Sequence, residues 1–298
     1  MTQKEKIAFS KIYSKFNARV ERYALTFFFK TLKKQVQGLK DLIDTYPIEV
    51  VPSRLNDVVR EETFKNDFAE FYQKVGEKFL KFYSAQFALS VKKDKDPLST
   101  AVAGINIGFR DAAKIAELAK IAQSLEVADK VTKITEHTRK IIKETIERGI
   151  ADNKTKPDIA KEIASKTSGA IAKKRALVIA RTETTYISSK AAEVNVMDSP
   201  FELEKTWIAV SDMRTRPDHL DMIGKKPVKK DEFFNVGGVQ MRYPGDPSGG
   251  AANCVNCRCA ILYAPIAEQS STTTQTSRNS LLSSVIISQL LNELFGGN

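Results

Sequence analysis

The chain changes character at Pro200. Before it, apolar residues recur at three- and four-residue spacing, the period of one helix face. After it, "FELEKTWIAV" alternates as a strand does, and "FFNVGGVQMRYPGDPSGGAANC" is dense in the Gly and Pro that join short strands. A chain with that break is expected to be α+β: a long, mostly helical N-terminal region, then a small compact α+β domain with short strands.

The helical part is legible stripe by stripe. Phe9, Tyr13, Phe16, Val20 and Phe27 share a face, and the pattern then slips to Phe28, Leu32, Val36, Leu39 and Ile43. "TYPIEVVPS" (45–53) breaks it with two prolines. A second stripe, Phe64, Phe68, Phe71, Val75, Phe79 and Phe82, is expected to be a helix–helix seam. "VKKDKDPLST" (91–100) reads as a charged turn, and an alanine-rich third helix follows at about 101–122. A fourth is predicted over 127–148, with Val131, Ile134, Ile141 and Thr145 inward and Gly149 as its stop. Pro157 opens and Gly169 closes a short helix, and a longer one runs from Ala170 to about Val196. After the strand-like "CRCAILYAP", residues 266–280 are polar and low in complexity, a flexible linker. The last stretch, 281–298, is expected to be a docking helix carrying Leu282, Ile286, Leu290 and Leu294.

Composition narrows the class. No apolar run approaches the ~18 residues of a membrane span, and the start lacks the pattern of a signal peptide. The net charge of +11 is uneven: residues 1–200 hold 37 Lys+Arg against 26 Asp+Glu, whereas residues 201–298 hold 10 of each. All of the excess lies in the first two-thirds, which favours polyanion contact but also suits ordinary soluble helices.

All three cysteines fall within Cys254-Val255-Asn256-Cys257-Arg258-Cys259, which is no secreted disulfide framework and fits a reducing compartment. Their reading is a packed structural corner in which Asn256 makes a turn and Arg258 an ion pair. The alternative is a metal site, with Cys254, Cys257 and Cys259 as soft ligands and His219 completing a tetrahedral set; zinc is the one cofactor this would imply. Cys257 and Cys259 are expected to bind one ion together only where the strand has not begun or is bulged. A reactive thiol would need a depressed pKa beside His219 or Arg258. In "RTRPDHLDMIG", Arg214, Arg216, Asp218, His219 and Asp221 crowd a segment ending at Gly224; Arg216 is expected to lock a carboxylate and Gly224 to supply a permissive backbone angle. His137, the other histidine, is read as a solvated residue of the fourth helix. Arg181 and Glu183, two apart on a helix, are expected to tie it to the domain that follows. No phosphate-binding loop, dinucleotide fingerprint, zinc-protease helix or nucleophile elbow is present.

Taken in order, "ARTETTY" (180–186), "DMRTRPDHLDMIGKKP" (212–227), "DEFF" (231–234), "YPGDP" (243–247) and "NCRC" (256–259) resemble the head-morphogenesis family of tailed bacteriophages typified by the phage Mu F protein. The resemblance spans roughly 150–264 and divides the chain into a helical region (1–150), a Mu F-like domain (151–265), the linker and the docking helix. Cys254 is additional to the family's "NCRC", and the last helix lies outside the shared part. The resemblance implies a minor head protein of the virion, at the capsid interior or portal vertex, assembled in the host cytoplasm with portal and capsid proteins. It implies non-specific contact with double-stranded DNA during packaging or delivery, and neither membrane nor small-molecule substrate. It implies structural roles for Arg181, Glu183, Arg216, Asp218, His219, Gly224, Asp246 and Arg258, and no catalytic residue. The rival is a zinc-dependent hydrolase or nuclease using His219 and the cysteines, with Asp218, Asp246 and Arg216 beside them.

Overall fold

The computed structural model describes residues 2–91 and 112–266. The expected linker, the docking residues Leu282, Ile286, Leu290 and Leu294, and positions 101–111 of the third helix lie outside the described residues. The α+β class holds. Helices α1 (Gln3–Gln35), α2 (Leu39–Thr45), α3 (Leu55–Val58), α4 (Glu61–Val91), α5 (Ala112–Ala122), α6 (Leu125–Ala151), α7 (Lys156–Ser168) and α8 (Ala170–Asn195) precede five short strands. These are β1 (Leu203–Ile208), β2 (Val228–Lys229), β3 (Phe234–Val236), β4 (Val239–Met241) and β5 (Ala260–Pro265), with short helices α9 (Pro217–Leu220) and α10 (Gly250–Cys254) between them. The chain divides into two compact units, neither contiguous in sequence.

One unit comprises residues 19–74 and 117–184. Its core joins Leu42, Ile43, Val51 and Leu55 to Ile142, Ile146, Ile159 and Ile163. Phe28 meets Phe68 and Phe71 with ring centroids 5.0 and 4.6 Å apart, the offset and tilted geometry aromatic quadrupoles favour. The phase slip expected at Phe27–Phe28 does not interrupt α1. Ala24 carries the buried stripe from Val20 to Phe28, and Phe27 sits at its margin.

Helix α6 departs from its predicted face and stop. Ile142 and Ile146 are buried instead of Ile141, and Thr135 and Thr138 instead of Ile134. The reason is a polar layer: Gln35 donates to Thr135 (2.9 Å) and accepts from Thr138 (3.0 Å), and Arg175 donates to Thr138 (2.9 Å). Gly149 lies inside the helix, where an added Cβ would come within 2.5 Å of Ile159. The stop is Asn153, left-handed at φ 54°, with Lys154 N–H bonding Gly149 C=O (2.9 Å) and Asn153 N–H bonding Ile150 C=O (3.0 Å). That pair of bonds is a Schellman closure. His137 is exposed, as expected. Helix α7 begins and ends where Pro157 and Gly169 indicate, with Thr155 as its N-cap.

The other unit comprises residues 1–18, 75–116 and the chain from 185 on. Phe16 stacks on Phe82 (4.7 Å) and meets Phe79 edge-on (5.2 Å), the seam foreseen for the second stripe. Its two tyrosine hydroxyls, Tyr13 and Tyr83, both reach the Ser188 hydroxyl at 3.1 Å. The strands form an antiparallel sheet β2-β1-β5, in which Trp207 opposes Ile261, and a separate β3–β4 hairpin. Val236 opposes Val239, so Gly237-Gly238 is the two-residue loop; both have positive φ (57° and 84°), which the turn matching strand twist requires.

Candidate functional site

The C-terminal half of α8 is a platform of small side chains. Thr185, Ser188, Ser189, Ala191 and Ala192 are all buried, so other backbone approaches closely. The Thr185 hydroxyl donates to the Cys257 carbonyl, and Ser189 donates to that of Pro244 (2.8 Å). Gly245, at φ 83°, lies on the helix: a Cβ there would sit 3.3 Å from the Tyr186 backbone. The motifs around 180–186, 243–247 and 256–259 are thus parts of one packing arrangement. The tie to the later domain comes from Thr185 and Ser189, one turn beyond the pair from which it was expected. Arg181 pairs with Glu21 of α1 (3.2 Å). Glu183, 4% exposed, accepts from the Tyr72 hydroxyl and from Lys130 (3.1 Å).

A second arrangement joins the segment after β1 to the turn before β5. Arg258 grips the Asp212 carboxylate with two bonds of 2.6 Å. That guanidinium, with the Arg214 amide and Thr215 hydroxyl, holds the Asp212 carboxyl far below the ordinary aspartate range. Arg216 does not lock a carboxylate as expected; it donates to the Val255 carbonyl (2.6 Å), because Arg258 already occupies Asp212. Gly224 has the positive φ expected of it (84°). Asp218 is exposed and lies over Gly237, where a Cβ would meet its carboxylate at 2.4 Å. Both Asp246 carboxylate oxygens accept backbone amides, from Arg242 (2.6 Å) and Ser248 (3.0 Å), so this carboxylate shapes the turn.

Between these two arrangements His219, Cys257 and Cys259 converge, 1–2% exposed, with one ligand atom from each within 4.8 Å of the others. Asn256 is left-handed at φ 61° and β5 begins only at Ala260, so both cysteines precede the strand, the condition expected for a shared site. His219 Nδ1 lies 3.4 Å from Cys259 Sγ and 3.6 Å from Cys257 Sγ. The Cys259 amide donates to Cys257 Sγ (3.5 Å). Cys254 stands apart from the cluster: it belongs to α10, and its thiol donates to the Asp246 carbonyl (2.8 Å). The four-ligand set is therefore reduced to three.

Of the two buried thiols, Cys259 is the one held below its ordinary range. Its value is lowered because it accepts from Cys257 and because the Trp207 indole and the Val210 amide turn their positive ends toward it. The Trp207 N–H falls short of hydrogen-bond geometry. Cys257, whose proton is the one shared and which is buried, is pushed well above its ordinary range. A nucleophile needs access that neither sulfur has.

Sequence reasoning missed Thr185, Ser189, Asp212, Gly245 and Trp207. It also missed Lys205, which is 1% exposed, bonds the Arg242 carbonyl (3.0 Å), and has its value lowered by burial. Polar residues in an otherwise alternating strand and hydroxyls on a small-residue helix face were the available signals.

A helical framework with a small sheet domain cornered by a histidine and a C-x-C turn is the class this geometry defines. Within it, residues 140–262 match the family described as Phage Mu protein F like protein, as the ordered motifs implied. Among curated proteins, the chain is 32% identical over 117 residues to an NAD(+)–arginine ADP-ribosyltransferase, EFV, of Enterococcus faecalis, covering 38% of this chain and 23% of that one. It is 24% identical over 239 residues to the uncharacterized protein YqbB of Bacillus subtilis, covering 77% and 72%. It is 27% identical over 120 residues to the minor head protein GP7 of Bacillus phage SPP1, covering 40% and 38%. The chain thus spans less than a quarter of the transferase and well under half of the phage protein. No solved structure matches it. No helix among the described residues is long and apolar enough to cross a membrane.

Proposed function

We propose that this chain is a minor head protein of a tailed phage, taken into the head during assembly through contacts with portal and capsid proteins. The observation that carries the reading is the match over residues 140–262, reinforced by the similarity to the minor head protein of Bacillus phage SPP1. The motif residues act as fasteners: Arg258 binds Asp212, Arg216 binds a carbonyl, and Asp246 shapes a turn, which suits an assembly module better than a hydrolytic centre. The surplus of +11 in residues 1–200 gives the helical part a basic surface for packaged DNA, bound through phosphates and hence strongly salt-dependent.

The test is co-expression of the chain with the portal and scaffold of its phage. The reading expects the chain to travel with portal rings and to enter procapsids. A chain that stays apart from both refutes it. Retention on duplex DNA that is unchanged between low and moderate salt refutes the phosphate-directed contact.

A further inference from the structure

We infer that His219, Cys257 and Cys259 form a three-ligand site for a thiophilic divalent cation, zinc foremost, which staples the C-x-C turn to the segment before Gly224. The site does not depend on the head-protein reading. Among the described residues it is the one group of three ligating side chains placed to hold a metal.

The distances carry the assignment. A tetrahedral zinc with bonds of about 2.0–2.1 Å to nitrogen and about 2.3 Å to sulfur sets an N···S edge of about 3.5 Å. The two edges here are 3.4 and 3.6 Å. Ordinary hydrogen bonding accounts for both only by sharing one proton or one lone pair between two sulfurs. An imidazole Nδ1 has either one lone pair or one proton, yet two sulfurs stand at that single atom. A cation placed among the three atoms satisfies all of them at once.

The surroundings fit. Two thiolates neutralise one divalent cation, so the buried cluster carries no net charge, which burial requires. The Cys259 amide supports Cys257 Sγ from the backbone, the kind of outer contact that orients a metal-bound thiolate. Arg258 directs both terminal nitrogens to Asp212. His219 Nε2 has no hydrogen-bond partner, so the ring is fixed through Nδ1 and through the edge-on contact with Trp207, centroids 5.3 Å apart. Two thiolates and an imidazole favour zinc over magnesium or calcium. Three protein ligands leave the fourth position to water or to a donor brought by a partner.

The experiment is elemental analysis of the full chain purified after expression with zinc, followed by cobalt(II) substitution. One metal per chain is expected, with a thiolate-to-cobalt charge-transfer band in the near ultraviolet and tetrahedral ligand-field bands in the visible. Cys257→Ser, Cys259→Ser and His219→Ala should each lose the metal, while Cys254→Ser keeps it. Because those three variants lack a staple and tend to misfold, the wild-type chain decides by itself: a metal-free chain with no cobalt charge-transfer band overturns the site. Retention of metal in soluble Cys257→Ser, its loss in Cys254→Ser, or a Cys257–Cys259 disulfide in chain purified without oxidant overturns it equally.

Discussion

Phe9, Tyr13 and Phe16 meet Phe79, Phe82 and Tyr83 ring on ring, whereas His219, Cys257 and Cys259, in the same unit, meet at polar atoms. The seam is additive and periodic. Each ring removes apolar surface from water, and losing one leaves its neighbours in register. The corner is conditional: its thiols, amides and carboxylate have value only when every partner arrives, and each left unmatched in the interior is costly. Seams of the first kind hold long elements together, and corners of the second kind fix which turn faces which.

The largest effect expected is in the seam. Phe79→Ala should lose roughly 3–5 kcal/mol of stability, as truncation of a fully buried ring does, read from chemical denaturation. A loss under ~1 kcal/mol would mean that the seam is loosely packed.

Next comes the Arg258–Asp212 clasp, where Asp212→Asn should cost about 1.5–3 kcal/mol, the worth of hydrogen bonds to a charged group. The pH dependence has a definite sign. Because the folded-state value of Asp212 is depressed, its contribution is complete above the ordinary aspartate value of about 4 and is lost as pH falls below it. Denaturation midpoints from pH 7 to pH 2 should show the wild type losing more than Asp212→Asn. Parallel curves would remove the clasp from the account.

Comparable in size is a pair of glycine substitutions. Gly245→Ala should cost about 2–3 kcal/mol, from a left-handed backbone plus a contact 3.3 Å from α8. Gly238→Ala, also left-handed but open on every side, should cost about 1–2 kcal/mol. Equal costs would show that close approach to α8 plays no part. Least of all, Lys143→Ala, which breaks an exposed pair with Glu147, should shift stability by no more than ~0.5 kcal/mol.

The same contrast explains what was legible in the sequence. The second stripe, from Phe64 to Phe82, and the boundaries at Pro157 and Gly169 were readable because periodicity and capping are local properties. The inward face of α6 was not, because Thr135 and Thr138 are buried by Gln35 and Arg175, which lie far from them in sequence. At the corner, the grouping of His219 with C-x-C was legible by chemistry. The exclusion of Cys254 depended on the Asp246 carbonyl, and the roles of Arg181 and Glu183 on partners as distant as Glu21 and Tyr72. Pairings between remote segments leave no periodic trace.

Trp207 is the single tryptophan of the chain and lies edge-on to His219, so its fluorescence reports on the unit that holds the corner. The most direct measurement is thermal unfolding followed by Trp207 emission, with and without a zinc chelator. A metal-stapled corner predicts that the chelator moves the Trp207 transition to lower temperature and that Cys254→Ser responds as the wild type does. A Trp207 transition at the same temperature in both conditions would contradict it, and would leave the corner held by packing and the Arg258–Asp212 clasp alone.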